Sequence, residues 1–363
     1  MTTARKILQL DAPFAMHLGG HLQQMQIAYE TWGQLDAERS NAILVFTGLS
    51  PSAHAASCED DPSPGWWEPM LGPDKPLDSH RYLIICVNSL GSCFGSTGPA
   101  SVNPDTGKPY QANFPVLAIE DIARSAHLVV EALAIETLYA VVGPSMGGMS
   151  ALAYCMFYPD ASERMLSISS AARSLPFATA IRSLQREMIR TDPDWRQGSY
   201  PPGEGPIKGM RMARKLGMIS YRSPQEWVQR FGRERVPEER KTGDAFAIDF
   251  EIEAYLEAHA NKFTGQFDAN CYLYLSRAMD LFDVADHGGS VDAGLSRIKL
   301  RQALVIGVET DILFPLHQQG ELAIGLESAG IETEFVRLSS LQGHDSFLVD
   351  MDRLRPVVAK FFA

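Results

Sequence analysis

The chain of 363 residues is poor in cysteine, in net positive charge and in long apolar runs. Its five cysteines, Cys58, Cys86, Cys93, Cys155 and Cys271, are odd in number and include no C-x-x-C pair. That excludes a disulfide framework, leaves no zinc or other metal site to expect, and points to a reducing, cytoplasmic setting. The formal net charge of −12 excludes a general binder of nucleic acid or of anionic membranes. Any anionic ligand must therefore meet a local basic site. No run is long and apolar enough to span a bilayer. The opening segment MTTARKILQLDAPFAMHLGGHL lacks the continuous apolar stretch of a secretory leader. Internal repeats and low-complexity tracts are not evident.

What is present is core-forming material, with 45% hydrophobic residues. Short apolar runs at Ala42–Phe46, Tyr82–Val87, Tyr139–Val142, Met165–Ile168, Ala303–Gly307 and Thr333–Leu338 read as buried strands. Helical spacing separates them at Ile119–Leu133 and Met149–Tyr158. Alternating strands and helices imply an α/β architecture with a mostly parallel sheet covered on both faces. Residues 173–297 lack a clear buried-strand run and are rich in Arg, Glu, Met and aromatics. ATAIRSLQREMIR and IEAYLEAHANKFTGQF read as helices, with the Pro/Gly-rich SYPPGEGP between them. The expectation is a core of residues 1–172 and 298–363, with residues 173–297 inserted as a helical lid. The acidic loop SCEDDPSPGWWEP is expected to be ordered, because Trp66 and Trp67 need burial.

The chemistry gathers at Gly143-Pro144-Ser145-Met146-Gly147, a G-x-S-x-G between a strand and a helix. A sharp strand-to-helix turn brings backbones together and leaves no room for flanking side chains, hence the glycines. It also sets the serine at a helix N-terminus, where unpaired N–H groups stabilise negative charge. A serine hydroxyl needs a base, and the base needs an orienting carboxylate. On such an elbow the partners follow in the order Ser, acid, His, each just after a late strand. Asp311, in VETD after ALVIG, and His344, in LQGHD after TEFVRL, meet that order; Glu309 is the neighbouring alternative to Asp311. An oxyanion hole needs two backbone N–H groups. Met146, after the nucleophile, and Leu49, in the loop TGLSPSAH, are the candidates.

Basic residues cluster in the inserted region. Arg182, Arg186 and Arg190 share one helical face, and Arg211, Arg214 and Lys215 form a second group. Either cluster could hold an anionic substrate such as an acyl-coenzyme A or a carboxylate. A solvated basic face paired with Glu187 and other acids is the competing reading.

Several long stretches carry a family likeness: GWWEPMLGP, NSLGSCFGSTGPASVNPDTGKPY, GPSMGGMSAL, GMRMARKLGMISYRS, FDANCYLYLSRAMDLFD, TDILFP and QGHDSFLVD. Through them the chain resembles the homoserine/serine O-acyltransferases of the α/β-hydrolase fold over nearly its whole length. The resemblance implies a two-step acyl exchange: Ser145 takes the acyl group from a coenzyme A thioester, and an amino-acid hydroxyl removes it. His344 would act as base and then acid, with Asp311 orienting it. Arg214, in R-x-A-R, would bind the amino acid's carboxylate and Asp345 its ammonium group. Where homoserine acetyltransferases show a C-H-A-L-T-G-like run, this chain has Phe46-Thr47-Gly48-Leu49-Ser50-Pro51. That run, with AIRSLQREMIR and SLGSC, is more similar to the serine O-succinyltransferase branch. Gly48, Leu49, Ser50 and Pro51 are thus the candidate acceptor-specificity loop, and Arg182 the candidate cation for a succinyl carboxylate.

The implied substrates are small molecules: L-serine as acceptor and succinyl-CoA as donor, with homoserine and acetyl-CoA as alternatives, and no tightly bound cofactor. The likeness also implies a homodimer formed through the helical insertion. From another class, a carboxylesterase or thioesterase would use the same triad on water; a non-catalytic binding protein would have no use for it.

Overall fold

A computed structural model describes residues 4–201, 203–241 and 243–363. The first three residues of the expected core and the second proline of SYPPGEGP lie outside them. Eight strands form one sheet: β1 (Lys6–Gln9), β2 (Gln26–Trp32), β3 (Ala42–Phe46), β4 (Leu83–Val87), β5 (Ala140–Pro144), β6 (Arg164–Ile168), β7 (Gln302–Val308) and β8 (Glu332–Leu338). Their spatial order is β1-β2-β4-β3-β5-β6-β7-β8. β2 is antiparallel to both neighbours, and every pairing from β4 across to β8 is parallel.

All five residues of β3, of β4 and of β5 are buried, which is why these segments read as unbroken apolar runs. Alternation still operates inside β3. Leu44 and Phe46 join a core with Ile122, Val129 and Leu152, from α1 (Ile119–Ala132) and α2 (Met146–Phe157). Ile43 and Val45 face the other way, into a core with Trp67, Leu354 and Phe362. β1 and β2 carry no continuous apolar run, because β1 is an exposed edge and β2 is only partly covered. For that reason the apolar pattern misses both.

Between β6 and β7 the chain runs through α3 (Pro176–Arg190), α4 (Ile207–Tyr221), α5 (Pro224–Phe231), α6 (Glu251–Phe263), α7 (Ala269–Leu281) and the short α8 (Val291–Leu295). α4 packs against both α3 and α6. α9 (Leu316–Ser328) joins β7 to β8, and α10 (Ser346–Val349) and α11 (Met351–Phe361) follow. Among the described residues no helix is long and apolar enough to cross a membrane. The carboxyl ends of β3, β5, β7 and β8 converge on one edge, where loops in an α/β sheet bind ligands.

Candidate active site

Ser145 stands between β5 and α2 with φ 56° and ψ −123°, a left-handed conformation that strains a residue with a Cβ. Three backbone hydrogen bonds hold it there: its N–H donates to the Ile168 carbonyl at 2.9 Å, and its carbonyl accepts from Gly148 N at 2.9 Å and from Met149 N at 3.4 Å. The flanking glycines are steric necessities. A Cβ at Gly143 would lie 2.0 Å from the Gly147 carbonyl oxygen, and one at Gly147 would lie 2.6 Å from that of Phe46. The first turn of α2 is thereby backed against the end of β3, which brings the TGLSP loop beside Ser145. The helix starts at Met146, three residues earlier than its apolar spacing suggests.

His344 Nε2 accepts from Ser145 Oγ at 2.8 Å, and His344 Nδ1 donates to Asp311 Oδ2 at 2.8 Å. The other Asp311 oxygen accepts from Leu313 N and Phe314 N, each at 2.9 Å, so the carboxylate cannot swing. Thr310 ties the two loops together: its Oγ1 donates to the Ser340 carbonyl and accepts from Gly343 N. Glu309, the alternative acid, points away and lies 3.7 Å from Arg337. Burial pulls the His344 pKa down, but the charge and hydrogen bond of Asp311 outweigh it and hold the imidazole above its ordinary value.

A cavity of about 130 Å³ opens over Ser145 and His344. The loop Gly48, Leu49, Ser50 and Pro51 lines it, as do Arg182, Arg214 and Asp345. Met146 is fully buried beneath it, at the first position of α2, where a backbone N–H has no intrahelical partner. Leu49, on the loop after β3, lines the cavity.

The charged groups differ in how they are satisfied. Arg211 lies 2.7 Å from Glu257, and Lys215 pairs with the same carboxylate. Arg214 makes no ion pair among the described residues, and its buried Nε has no hydrogen-bond partner. Its guanidinium rests 4.6 Å from the centre of the Phe263 ring. A half-buried guanidinium on a cavity wall, with no carboxylate paired to it and a buried Nε left unsatisfied, suits an anion.

Asp345 accepts from Arg222 Nε at 3.1 Å, and Arg222 Nη1 donates to Gln342 Oε1 at 2.6 Å. Burial raises the Asp345 pKa, while Arg222, His344 and Arg214 pull it back. Arg222 was not singled out from the sequence. It sits inside GMRMARKLGMISYRS, but nothing local distinguishes it from the other basic residues there.

Neither sequence reading of the Arg182, Arg186 and Arg190 face fits all three. Arg182 Nε donates to Asp280 Oδ1 at 2.7 Å and its Nη2 to Ser174 Oγ at 2.5 Å. Arg186 Nη2 lies 2.7 Å from the other Asp280 oxygen, and Arg190 lies over the Trp195 ring. Two guanidiniums sharing one carboxylate leave a net positive charge in the pair, and of the two Arg182 lines the cavity.

The GWW loop braces the site. Trp66 and Trp67 stack with ring centres 5.1 Å apart. Trp66 Nε1 donates to the Ser52 carbonyl at 3.1 Å and Trp67 Nε1 to the Phe347 carbonyl at 2.9 Å. One tryptophan thus holds the TGLSP loop and the other the segment after His344.

Residues 41–350 match the model of the alpha/beta hydrolase fold family. A serine O-succinyltransferase of Litchfieldella anticariensis is 55% identical over 100% of this chain and 99% of its own length. The crystal structure of a homoserine O-acetyltransferase from Bacillus anthracis superimposes with a TM-score of 0.90, at 28% identity, over 98% of this chain and 96% of that one. That of an esterase does so with a TM-score of 0.89, at 31% identity, over 99% of each chain. The chain belongs to the α/β-hydrolase fold family and, within it, to the acyltransferase family that contains the serine O-succinyltransferases.

Proposed function

We propose that the chain is an L-serine O-succinyltransferase that works through an acyl-Ser145 intermediate. His344 takes the Ser145 proton as the hydroxyl attacks the thioester carbonyl of succinyl-CoA, and returns a proton to the departing thiolate. The negative charge on the carbonyl oxygen is met by the backbone N–H groups of Leu49 and Met146. His344 then takes the proton of the acceptor serine's hydroxyl as its oxygen attacks the acyl carbon, and returns that proton to Ser145 Oγ as the bond to Ser145 breaks. Asp311 keeps the imidazole in the tautomer and orientation both steps need. No tightly bound cofactor has a part in this chemistry.

The observation that carries the reading is Arg214, half-buried, without an ion-pair partner among the described residues and on the wall of the same cavity as Ser145. Arg214 takes the α-carboxylate of the acceptor and Asp345 its ammonium group, so that the hydroxyl points at the acyl-enzyme. A hydrolase that delivers water needs neither. The residual positive charge at Arg182 takes the distal carboxylate of the succinyl group, and Gly48 to Pro51 shape the space left for the acceptor. The 55% identity to a protein named serine O-succinyltransferase supports this choice of donor and acceptor.

Two other readings have an observation behind them. The structural likeness to a homoserine O-acetyltransferase supports homoserine as acceptor, with an acetyl donor. The likeness to an esterase supports water as the acceptor. The test is a matrix of succinyl-CoA and acetyl-CoA against serine, homoserine and buffer, scored by thiol release. Release with succinyl-CoA is expected to depend on serine. Equal release in buffer alone would establish a thioesterase, and a preference for homoserine would move the chain to the other branch.

Three assignments accompany the proposal. Residues 173–297 act as a lid over a core made of residues 1–172 and 298–363. The protein works in the cytoplasm, which suits its five free cysteines. It is a homodimer through the inserted helices, where Leu184, Met212, Ile219 and Val228 are exposed. Light scattering on the eluting protein checks the dimer.

A further inference from the structure

Apart from the residues that line the Ser145 cavity, three metal-type ligands meet from distant parts of the chain. His17 comes from the turn that Met16 N closes on the Gly20 carbonyl, Glu120 from the first turn of α1, and His287 from the segment between α7 and α8. Glu120 Oε1 lies 2.8 Å from His287 Nε2 and 3.9 Å from His17 Nε2, and all three ligand atoms fall within 4.8 Å of one another. A tetrahedral zinc ion bound at about 2.0–2.2 Å separates its ligand atoms by roughly 3.4 Å. The observed spacings bracket that value.

The surroundings hold these groups in place. The His17 backbone N–H donates to Asp121 Oδ1 at 2.7 Å, and the His287 carbonyl accepts from Arg297 Nη1 at 3.0 Å. Phe157 sets its ring at right angles to that of His17 and in a T-shaped contact with that of His287. The Glu120 side chain is 6% exposed, that of His287 10% and that of His17 32%, so the group opens to solvent on one side only. Glu120 has no Lys or Arg partner among the described residues, which leaves a buried carboxylate facing two imidazoles. The α1 N-terminus disfavours a cation nearby, but Glu120 and Asp121 both lie in that first turn and counter it. A second cluster, Asp74, Asp78 and His80, has Asp74 and His80 well exposed, and it serves as a control.

We propose that His17, Glu120 and His287 bind a divalent transition-metal ion of the zinc class, with water completing the shell, and that the ion pins the N-terminal turn and the end of the inserted helices to α1. Two imidazoles and one carboxylate with an open position are a ligand set for such an ion. Its role is structural, since none of the three ligands lines the Ser145 cavity.

The test is calorimetric titration of zinc chloride into the full chain after treatment with a chelator. One saturable site per chain is expected. His17→Gln and His287→Gln should each weaken it by at least the roughly 10–100-fold that loss of an outer-shell partner costs. His80→Gln should leave it unchanged. Saturating zinc should raise Tm by a few degrees in the parent and not in His17→Gln. No saturable binding, or binding that survives His17→Gln, overturns the proposal. If His287→Gln does not fold, His17→Gln decides alone, because its side chain is the most exposed of the three.

Discussion

His344 and Ser145 are 199 residues apart in the chain, yet Nε2 and Oγ meet at 2.8 Å. The contact is made by two loops that leave the same edge of the sheet, and Asp311 locks it from behind. Under the proposed mechanism Ser145→Ala removes the acyl acceptor. Mass spectrometry after incubation with succinyl-CoA should then show no acyl-enzyme, where the parent shows one. Asp311→Asn should keep the fold and lower kcat by about 10⁴-fold, because the imidazole is left in the wrong tautomer.

The raised pKa of His344 sets the acid limb of the rate. The imidazole is a base only when neutral, so acylation by succinyl-CoA should fall as pH drops through a value above 6.5. Asp345 adds to that raise, so Asp345→Asn should move the limb to lower pH in an acylation assay without acceptor. The folded state binds this proton more tightly than the unfolded chain does. The stabilisation is therefore complete below pH 6.5 and is lost as pH rises through the folded value. A limb that stays in place in Asp345→Asn would rule out the electrostatic link.

Arg214→Leu removes the proposed carboxylate receptor. The KM for serine should rise by about 30-fold or more, the loss expected for one partner of a buried charge pair. The burst of thiol release on acylation should persist. Arg214→Lys should recover only part of the affinity, because an ammonium cannot offer a planar fork. Loss of the burst itself would place Arg214 elsewhere in the mechanism.

In the proposed mechanism Arg222 acts on the acceptor through Asp345. Arg222→Ala should raise the serine KM by about tenfold, the effect of losing roughly 1.4 kcal/mol. It should also push the Asp345 pKa further up, since Arg222 is the largest influence holding it down. Serine binding should then recover at higher pH in the variant and not in the parent. A KM that is raised equally at every pH would mean that Arg222 only supports the loop around Gln342.

In the proposed mechanism Arg182 separates the donors. Arg182→Leu leaves Asp280 paired with Arg186, so the chain should still fold. Its kcat/KM for succinyl-CoA should fall about 100-fold, with much less loss for acetyl-CoA, which has no distal charge. Equal losses would make Arg182 a structural partner of Asp280 and nothing more.

By itself the sequence determined the parts that depend on short-range pattern. Ala42–Phe46 and its neighbours read as strands because burial on both faces demands unbroken apolar runs, and the G-x-S-x-G marked a turn too tight for side chains. The order Ser145, Asp311, His344 was legible because each residue follows its strand within a few positions. The edge strand Lys6–Gln9 was not legible, since an exposed edge imposes no apolar pattern, and Thr333–Leu338, read as buried, is the opposite edge and is largely uncovered. Charge pairing was not legible either. Only the tertiary structure joined Arg182 and Arg186 to Asp280, left Arg214 unpaired on the cavity wall, set Arg222 against Asp345, and brought His17, Glu120 and His287 together. Hydrophobic period is a property of a few consecutive residues, whereas the partner of a charge is decided by which distant segments the fold lays side by side.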